Sequence, residues 1–319
     1  MTGNILLFGI GLALLIKGAD WLVDGASYIA RKLNIPHFII GLVIVGIGTS
    51  IPEFSVSVLA NLLGREGIAL GTVIGSNTFN ILFILGISAF LFPISLEKHW
   101  VNRDLWWNLL AILIAALLIF LPIGGKDGLA GELTRAEGFL MLLIFAAWLY
   151  FAVLKTNHVA EHERKHRHIA FPMAFVLITA GFIGVILGGK WVVDGSVEIA
   201  RAFGWSTKLI GLTIVGVGTS LPELAATLTA AYKREPGIAV GGIIGSNIFD
   251  FLMILGVAAF LNPISFPNEF LPDMAVTLLA SFLLIGSMFV GKKYHLKHWQ
   301  GLTFVAVYII YLVYLFGRG

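Results

Sequence analysis

Apolar runs of about twenty residues recur along the whole chain, separated by short stretches that carry the charged residues. An α-helix needs about twenty apolar residues to cross the hydrocarbon core of a membrane. The pattern therefore predicts an all-α, polytopic membrane protein with ten transmembrane helices. The predicted spans are residues 3–22, 37–63, 68–92, 105–123, 136–154, 170–189, 208–232, 238–262, 270–290 and 299–316.

Composition supports this fold class and excludes several functions. Of the 319 residues, 58% are hydrophobic and only 12% are charged, whereas soluble domains have about 25% charged residues. The apolar excess must face membrane lipid. A net charge of +3 gives no reason to expect a nucleic-acid partner, and the absence of cysteine excludes disulfides and Cys-ligated metals. Because the first span lacks a basic leader and a cleavage site, we expect it to be retained.

The chain contains a long internal repeat. A shift of 170 residues aligns Gly18–Ser95 with Gly188–Ser265 without a gap, and about half of the aligned residues are identical. Five predicted spans separate each element from its copy, and because five is odd, the second copy enters the membrane inverted. The repeat predicts two five-helix halves, residues 1–154 and 170–319, joined by a loop at 155–169.

The distribution of Lys and Arg predicts the orientation. These residues are about twice as frequent on the side that holds the loop at 155–169 as on the opposite side. Basic residues concentrate on the cytoplasmic side of membrane proteins. We therefore expect a multi-pass protein of the cell membrane with a cytoplasmic central loop and both termini outside.

Two polar phrases interrupt the apolar spans, and each occurs once in each half. The first is GIGTSIPEF at 46–54 and GVGTSLPEL at 216–224, and the second is GSNTFN at 75–80 and GSNIFD at 245–250. Each copy of the first phrase places a proline and a carboxylate within a helix-length apolar segment. This repetition of polar residues indicates a function that both halves share.

The carboxylates in these phrases have no basic partner nearby in the sequence. Glu53, Glu223 and Asp250 lie in segments without Lys or Arg, and a charged residue at the centre of a membrane costs about 2.5–3.5 kcal/mol. Three ionised carboxylates close together would repel one another unless they bound protons or a cation. The pattern favours a mobile cation.

The neighbouring residues supply the oxygen donors that hard cations prefer. Hydroxyl groups precede each Glu within about one turn, and the second phrases place Ser four residues before Asn or Asp, on one helix face. Oxygen donors without His or Cys suit Ca²⁺ or Na⁺. The candidate side chains are Thr49, Ser50, Glu53, Ser76, Asn80, Thr219, Ser220, Glu223, Ser246 and Asp250.

The prolines predict that the second and seventh helices are broken at the membrane midplane. Pro52 and Pro222 lack the N–H group of a continuous helix and clash with the preceding turn. The carbonyl oxygens nearby, including those of Gly46 and Gly216, then become available to an ion, because irregular backbone is tolerated where it lines a buried cavity.

The paired phrases resemble the alpha-repeats of sodium/calcium exchangers, a branch of the calcium/cation antiporter superfamily. GTSIPE and GTSLPE match the family signature of the second and seventh helices, and GSNTFN and GSNIFD match that of the third and eighth. The resemblance implies a secondary antiporter, not an enzyme, that exchanges Na⁺ for Ca²⁺ by alternating access, without a cofactor and as a monomer. It implies that Glu53 and Glu223 are the central Ca²⁺ ligands and that the other candidates complete the Ca²⁺ and Na⁺ sites.

One difference between the repeats leaves the coupling ion open. Asp250 matches the residue of K⁺-dependent exchangers, whereas Asn80 is the amide at the equivalent position. K⁺-dependent Na⁺/Ca²⁺ exchange and H⁺/Ca²⁺ exchange are therefore alternatives on the same fold. A passive cation channel would not need two inverted copies. An intramembrane hydrolase would need catalytic sequence motifs that the chain lacks.

Overall fold

The computed structural model describes residues 2–120, 131–154, 171–203 and 216–318, and these residues are almost entirely helical. The helices are α1 (Thr2–Lys32), α2 (His37–Thr49), α3 (Ile51–Leu62), α4 (Glu66–Leu91), α5 (Lys98–Phe120), α6 (Arg135–Leu154), α7 (Phe171–Ala202), α8 (Gly216–Gly218), α9 (Leu221–Tyr232), α10 (Pro236–Leu261), α11 (Leu271–Ser287) and α12 (His298–Arg318). The all-α, polytopic fold class is confirmed.

The number of membrane spans is confirmed only in part. Among the described residues, eight helices are long and apolar enough to cross a membrane, and the bent pair α2–α3 makes a ninth. The predicted span at 208–232 begins in a stretch outside the described residues, as does the predicted loop at 155–169. The count of ten therefore stays a prediction.

The first helix of each half is longer than predicted. The predicted spans ended at residues 22 and 189, but α1 continues to Lys32 and α7 to Ala202. The charged residues that suggested an end, such as Asp24, lie on the helix itself. Asp24 forms an ion pair with Lys233, 2.7 Å away, which balances its charge.

Glycines allow α1 and α7 to pack closely along their length. A Cβ atom at Gly18 would lie 2.6 Å from the backbone nitrogen of Val185, and one at Gly181 would lie 2.7 Å from that of Leu22. Small residues let membrane helices approach until their backbones are in contact. The first helices of the two repeats therefore form one tightly packed pair.

The helices that hold the two polar phrases depart from regular α-helix geometry. α2 and α3 meet at an angle of 46°, at Ser50. Pro52 and Pro222 lie in the first turns of α3 and α9, where the missing N–H group costs no hydrogen bond. α4 and α10 each contain a π-helical turn, at Phe79–Leu85 and Phe249–Ile254, and such turns are frequent at functional sites.

Short strands join the two halves of the chain. β1 (Ile94–Ser95) pairs antiparallel with β4 (His295–Leu296), and β2 (Glu132–Leu133) pairs antiparallel with β3 (Ile264–Ser265). β1 and β3 are equivalent in the repeat, and each pairs with the strand that precedes the last helix of the other half. The pairing thus follows the symmetry of the duplication.

The last helix of each half also packs against a helix of the other half. A Cβ atom at Gly256 of α10 would lie 3.2 Å from the carbonyl oxygen of Gly138 on α6, and one at Gly86 of α4 would lie 3.2 Å from that of Gly301 on α12. Gly86 and Gly256 are equivalent in the repeat. The last helix of each half therefore packs on the third helix of the other.

The chain divides into two compact units that differ from the two sequence halves. Unit 1 comprises Met1–Pro52 and Thr156–Gly242, and unit 2 comprises Glu53–Lys155 and Ile243–Gly319. Each unit contains segments of both repeats. The division of the sequence at residues 154 and 170 remains a prediction about the duplication, whereas each compact unit combines parts of both copies.

The close packing of α1 and α7 makes a prediction about stability. Gly18→Ala places a methyl group against the backbone of Val185, and overpacking of this kind costs about 1–3 kcal/mol. The matched control is Gly9→Ala on the same helix, since no atom lies within 4 Å of a Cβ atom there. Thermal unfolding in detergent should show a lower midpoint for Gly18→Ala alone. An equal loss in both variants would contradict the packing.

Candidate cation-binding site

In unit 1, the first repeat supplies hydroxyl groups to the carboxylate of the second. The side chain of Glu223 is only 2% exposed. Its Oε1 atom accepts a hydrogen bond from the Ser50 hydroxyl at 3.2 Å, and the Thr49 hydroxyl lies close to the same carboxylate. The TS pair of GTSIPEF therefore meets the Glu of GVGTSLPEL.

Glu223 also has an oxygen that is available for a ligand. Its Oε2 atom is buried and has no hydrogen-bond partner in the part of the chain that the structure describes. Ser220 is buried and Thr219 half-buried in the turn that precedes α9, while Gly216 begins α8. The predicted donors of the second copy of the phrase thus lie in the same unit as Glu223, within seven residues of it in the sequence.

The Gly46 carbonyl oxygen accepts more hydrogen bonds than the proline in the next turn led us to expect. Its oxygen accepts hydrogen bonds from the Ser50 N–H and from the Thr49 hydroxyl, both at 3.2 Å. The Thr49 hydroxyl also lies 2.9 Å from the carbonyl oxygen of Val45. α2 continues as a π-helical and then α-helical turn up to Thr49, so this carbonyl oxygen is held by its own segment, and its role as an ion ligand stays a prediction.

In unit 2, Asp250 is held by two donors from the first repeat. Its side chain is 1% exposed. The Oδ2 atom accepts hydrogen bonds from the Ser76 hydroxyl at 3.0 Å and from the Asn77 side-chain amide at 2.9 Å. Ser76 and Asp250 were predicted as site residues, and the structure brings them into direct contact.

The same contact recurs between the equivalent residues. The Asn80 side-chain amide donates to Asn247 Oδ1 at 3.0 Å. A shift of 170 residues relates Asn77 to Asn247 and Asn80 to Asp250. The same two positions are therefore in contact twice, but the direction of the hydrogen bond is reversed, since Asn77 donates to Asp250 whereas Asn247 accepts from Asn80.

Asn77 and Asn247 were not among the predicted site residues. Both are the third residue of the repeated GSN triplet, and that repetition is the signal that identifies them. The Oδ1 atoms of Asn77 and Asn80 are buried without a hydrogen-bond partner among the described residues. These two oxygens are further candidate donors for a cation in unit 2.

Glu53 and Glu223 lie at the start of a helix, where the helix dipole stabilises their negative charges. Glu53 and Glu223 lie in the first turns of α3 and α9 and are 1% and 2% exposed. The partial positive charge at a helix N-terminus stabilises a carboxylate by about 0.3–1 kcal/mol, and by more in buried geometries. Ser246, the remaining predicted residue, is fully buried on α10 in unit 2.

The candidate ion ligands include hydroxyl and amide oxygens as well as carboxylates. Within the described ranges, no group of three or more His, Cys, Asp or Glu side chains is placed to hold a metal ion. The sequence suggested repulsion among three neighbouring carboxylates, and the described residues do not form such a cluster. Single carboxylates surrounded by hydroxyl and amide oxygens fit Ca²⁺ and Na⁺, which bind carboxylate, carbonyl and neutral oxygen donors.

The inverted repeats and the oxygen donors buried in apolar helices place the chain among secondary transporters. Comparison with known families makes the assignment specific. The model of the sodium/calcium exchanger protein family matches residues 3–154 and 173–317. The chain belongs to this family, and it is a multi-pass protein of the cell membrane rather than an enzyme.

Three relatives illustrate the similarity. An uncharacterized membrane protein of Methanocaldococcus jannaschii is 36% identical over 304 residues, which is 95% of either chain. The sodium/calcium exchanger MaX1 of Methanosarcina acetivorans is 31% identical in an alignment that covers 99% of either chain. A solved structure of the sodium-calcium exchanger NCX_Mj superimposes with a TM-score of 0.84 at 35% identity and covers 98% of both chains.

The contact between Asn77 and Asp250 makes a prediction about stability. Asn77→Ala removes one hydrogen bond that the buried Asp250 carboxylate accepts, and a hydrogen bond to a charged group contributes about 1.5–3 kcal/mol. Thermal unfolding should be measured in choline buffer without Na⁺ or Ca²⁺, since a bound ion would add its own stabilisation. The control is Thr72→Ala on the same helix, whose hydroxyl bonds the carbonyl of Ile68. Equal midpoints for the two variants would refute the role of Asn77.

Proposed function

We propose that this protein exchanges Na⁺ for Ca²⁺ across the cell membrane by alternating access. The observation that carries the proposal is the buried contact between Ser50 and Glu223. It joins the ion-binding phrase of one repeat to the carboxylate of the other, as expected for a site that both repeats build. Secondary transporters with inverted repeats bind their ions between the repeats.

We assign Ca²⁺ to a set of oxygens drawn from both repeats. Ca²⁺ takes about 6–8 oxygen ligands at about 2.3–2.6 Å, and a divalent charge requires carboxylates in a dry environment. The proposed Ca²⁺ and Na⁺ ligands are Glu53, Glu223, Thr49, Thr219, Ser50, Ser220, Ser76, Ser246, Asn80, Asp250 and the carbonyls of Gly46 and Gly216. Asn77 is added to this set because its Oδ1 atom is buried and unpaired among the described residues.

Competition for these oxygens couples the two ions. With no cation bound, Glu223 would keep a buried charge compensated only by hydroxyl groups and a helix end, which is costly inside a membrane. Conformational change is therefore expected to be favourable only when Ca²⁺ or several Na⁺ ions neutralise the carboxylates. Because Na⁺ uses the same oxygens, its binding displaces Ca²⁺, and a Na⁺ gradient drives Ca²⁺ across the membrane.

We further propose the orientation and the assembly of the protein. The twofold excess of Lys and Arg on one side supports a cytoplasmic loop at 155–169 and extracellular termini. A functional monomer surrounded by lipid is expected, since both copies of each phrase lie in one chain. A tag at either terminus should be degraded by protease added outside intact cells.

The transport proposal is tested in vesicles that contain the purified protein. We expect uptake of ⁴⁵Ca²⁺ only when Na⁺ is higher inside than outside. Glu223→Gln and Glu53→Gln should each reduce the rate at least about 100-fold, because each removes a carboxylate that a divalent ion requires. Glu198→Gln is the matched control, since Glu198 lies exposed on α7 and pairs with Arg201 on its own helix. Uptake that follows a pH gradient and ignores Na⁺ would contradict the proposal.

K⁺ is tested in the same vesicles. Asp250 Oδ2 already accepts two hydrogen bonds, and the transported Na⁺ and Ca²⁺ ions would neutralise its remaining charge, so we propose that no K⁺ ion is needed. Replacing K⁺ with choline on both sides should leave Na⁺-driven uptake unchanged, and Asp250→Asn should not alter its K⁺ response. A K⁺ requirement that disappears in Asp250→Asn would refute this part of the proposal and establish K⁺ co-transport.

A further inference from the structure

A group of ion pairs in unit 1 lies outside the proposed ligands. Lys233 follows directly after α9, the helix that bears Glu223. Its Nζ atom lies 2.6 Å from Asp20 Oδ1 and 2.7 Å from Asp24 Oδ1 on α1. It also donates a hydrogen bond at 3.0 Å to the backbone carbonyl of Asp20. One lysine therefore ties the turn after α9 to two successive turns of α1.

Glu235, two residues further on, makes a second connection. Its Oε2 atom lies 2.6 Å from His37 Nδ1 at the start of α2, and its Oε1 atom lies 3.7 Å from Arg31 near the end of α1. Glu235 and His37 are both buried. We call the contacts of Lys233 and Glu235 with α1 and α2 the α9–α10 latch. Its acceptors and donors all belong to unit 1.

The latch is not duplicated, although the sequence around it is. A shift of 170 residues places Leu63 at the position of Lys233 and Lys190 at that of Asp20. The lysine and one of its two partners are therefore missing from the equivalent turn between α3 and α4. Asp194, the counterpart of Asp24, is exposed and has no ion pair within the described part of the chain.

Glu235 and its partners are also replaced. The equivalent of Glu235 is Arg65, and that of His37 is Thr207. Arg31 is retained as Arg201, but Arg201 pairs with Glu198 on its own helix at 2.6 Å. The repeated arginine therefore has a different partner, and none of the four charged contacts of the latch has an equivalent in the other copy.

The compact units show the same asymmetry. Unit 1 contains α9 and the first residues of α10, up to Gly242, whereas the equivalent residues 53–72 belong to unit 2. The two copies of this segment have the same helix bounds but belong to different compact units, so they have different packing partners. In a transporter with inverted repeats, the state open to the other side has the conformations of the two copies exchanged. That exchange would separate the α9–α10 turn from α1 and break the latch.

We infer that Lys233 and Glu235 are positioning residues that stabilise one access state over the other, by holding the turn after the Glu223 helix against α1. The inference rests on the alternating access proposed above. Because the other repeat has no counterpart of the latch, the two access states are unequal in energy even without ions. Lys233 is 20% exposed and its partners 34% and 49%, so each pair is expected to shift the ratio of states by up to about fivefold.

A single introduced cysteine can report on the latch, because the natural chain has none. Ala230 lies on α9 one turn before Lys233, is fully buried, and belongs to the apolar core that contains Ala26 and Ala30 of α1. A cysteine at this position should react slowly with a charged methanethiosulfonate while the latch is closed. Its labelling rate follows the fraction of molecules in which α9 has left α1.

The experiment compares labelling rates of Ala230→Cys protein with and without latch substitutions. Lys233→Leu, which copies Leu63 of the other repeat, should raise the rate about fivefold or more, and Asp24→Asn should raise it less. Lys233→Arg should restore the slow rate, and Arg201→Leu, which breaks the pair on α7, should leave it unchanged. Equal rates in Lys233→Leu and Ala230→Cys alone would overturn the inference, as would an equal increase in Arg201→Leu.

Labelling is independent of the identity of the transported ions, so the two proposals can fail separately. Should Lys233→Leu not fold, Asp24→Asn provides the same comparison with a smaller change in the protein. Na⁺-driven ⁴⁵Ca²⁺ uptake by the same preparations separates the outcomes. Normal exchange with unchanged labelling would refute the latch alone, whereas faster labelling without exchange would refute the antiport and leave the latch intact.

Discussion

The structure depends on how it accommodates carboxylates inside apolar helices. Glu223 and Asp250 are almost completely buried, and each receives hydrogen bonds from hydroxyl or amide groups of the other repeat. Hydrogen bonds of this kind and the N-terminus of a helix lower the cost of the negative charge, but they do not neutralise it. In the proposed function a cation completes the compensation, and this need links the buried charge to ion transport.

The duplication provides the partners that a single copy lacks. In unit 1, the hydroxyl groups of the first copy meet the glutamate of the second, and in unit 2 the Asn77–Asp250 contact recurs as Asn247–Asn80. Elsewhere in unit 2, the short strands and the last helices are exchanged between the copies. The repeats therefore stabilise each other, and neither half of the sequence forms a compact unit by itself.

Much of this organisation could be predicted from the sequence, because the relevant signals are local. The apolar runs gave the fold class, and the repeated phrases identified Glu223, Ser50, Ser76 and Asp250, which the structure brings into hydrogen-bonded pairs. The ends of α1 and α7 could not be predicted, because charged residues lie on these helices rather than after them. One of them, Asp24, pairs with Lys233, which is 209 residues away along the chain. The hydrogen bonds that the Gly46 carbonyl oxygen accepts depend on a π-helical turn that the sequence pattern does not indicate.

In the proposed mechanism, one set of buried oxygens binds Ca²⁺ and Na⁺ in competition. Equilibrium binding of ⁴⁵Ca²⁺ to the purified protein over a series of Na⁺ concentrations measures this competition. We expect saturable Ca²⁺ binding that Na⁺ displaces completely, with a steeper than first-order dependence on Na⁺ because several Na⁺ ions replace one Ca²⁺. Binding of Ca²⁺ that persists at saturating Na⁺, or that survives in Glu223→Gln protein, would contradict it.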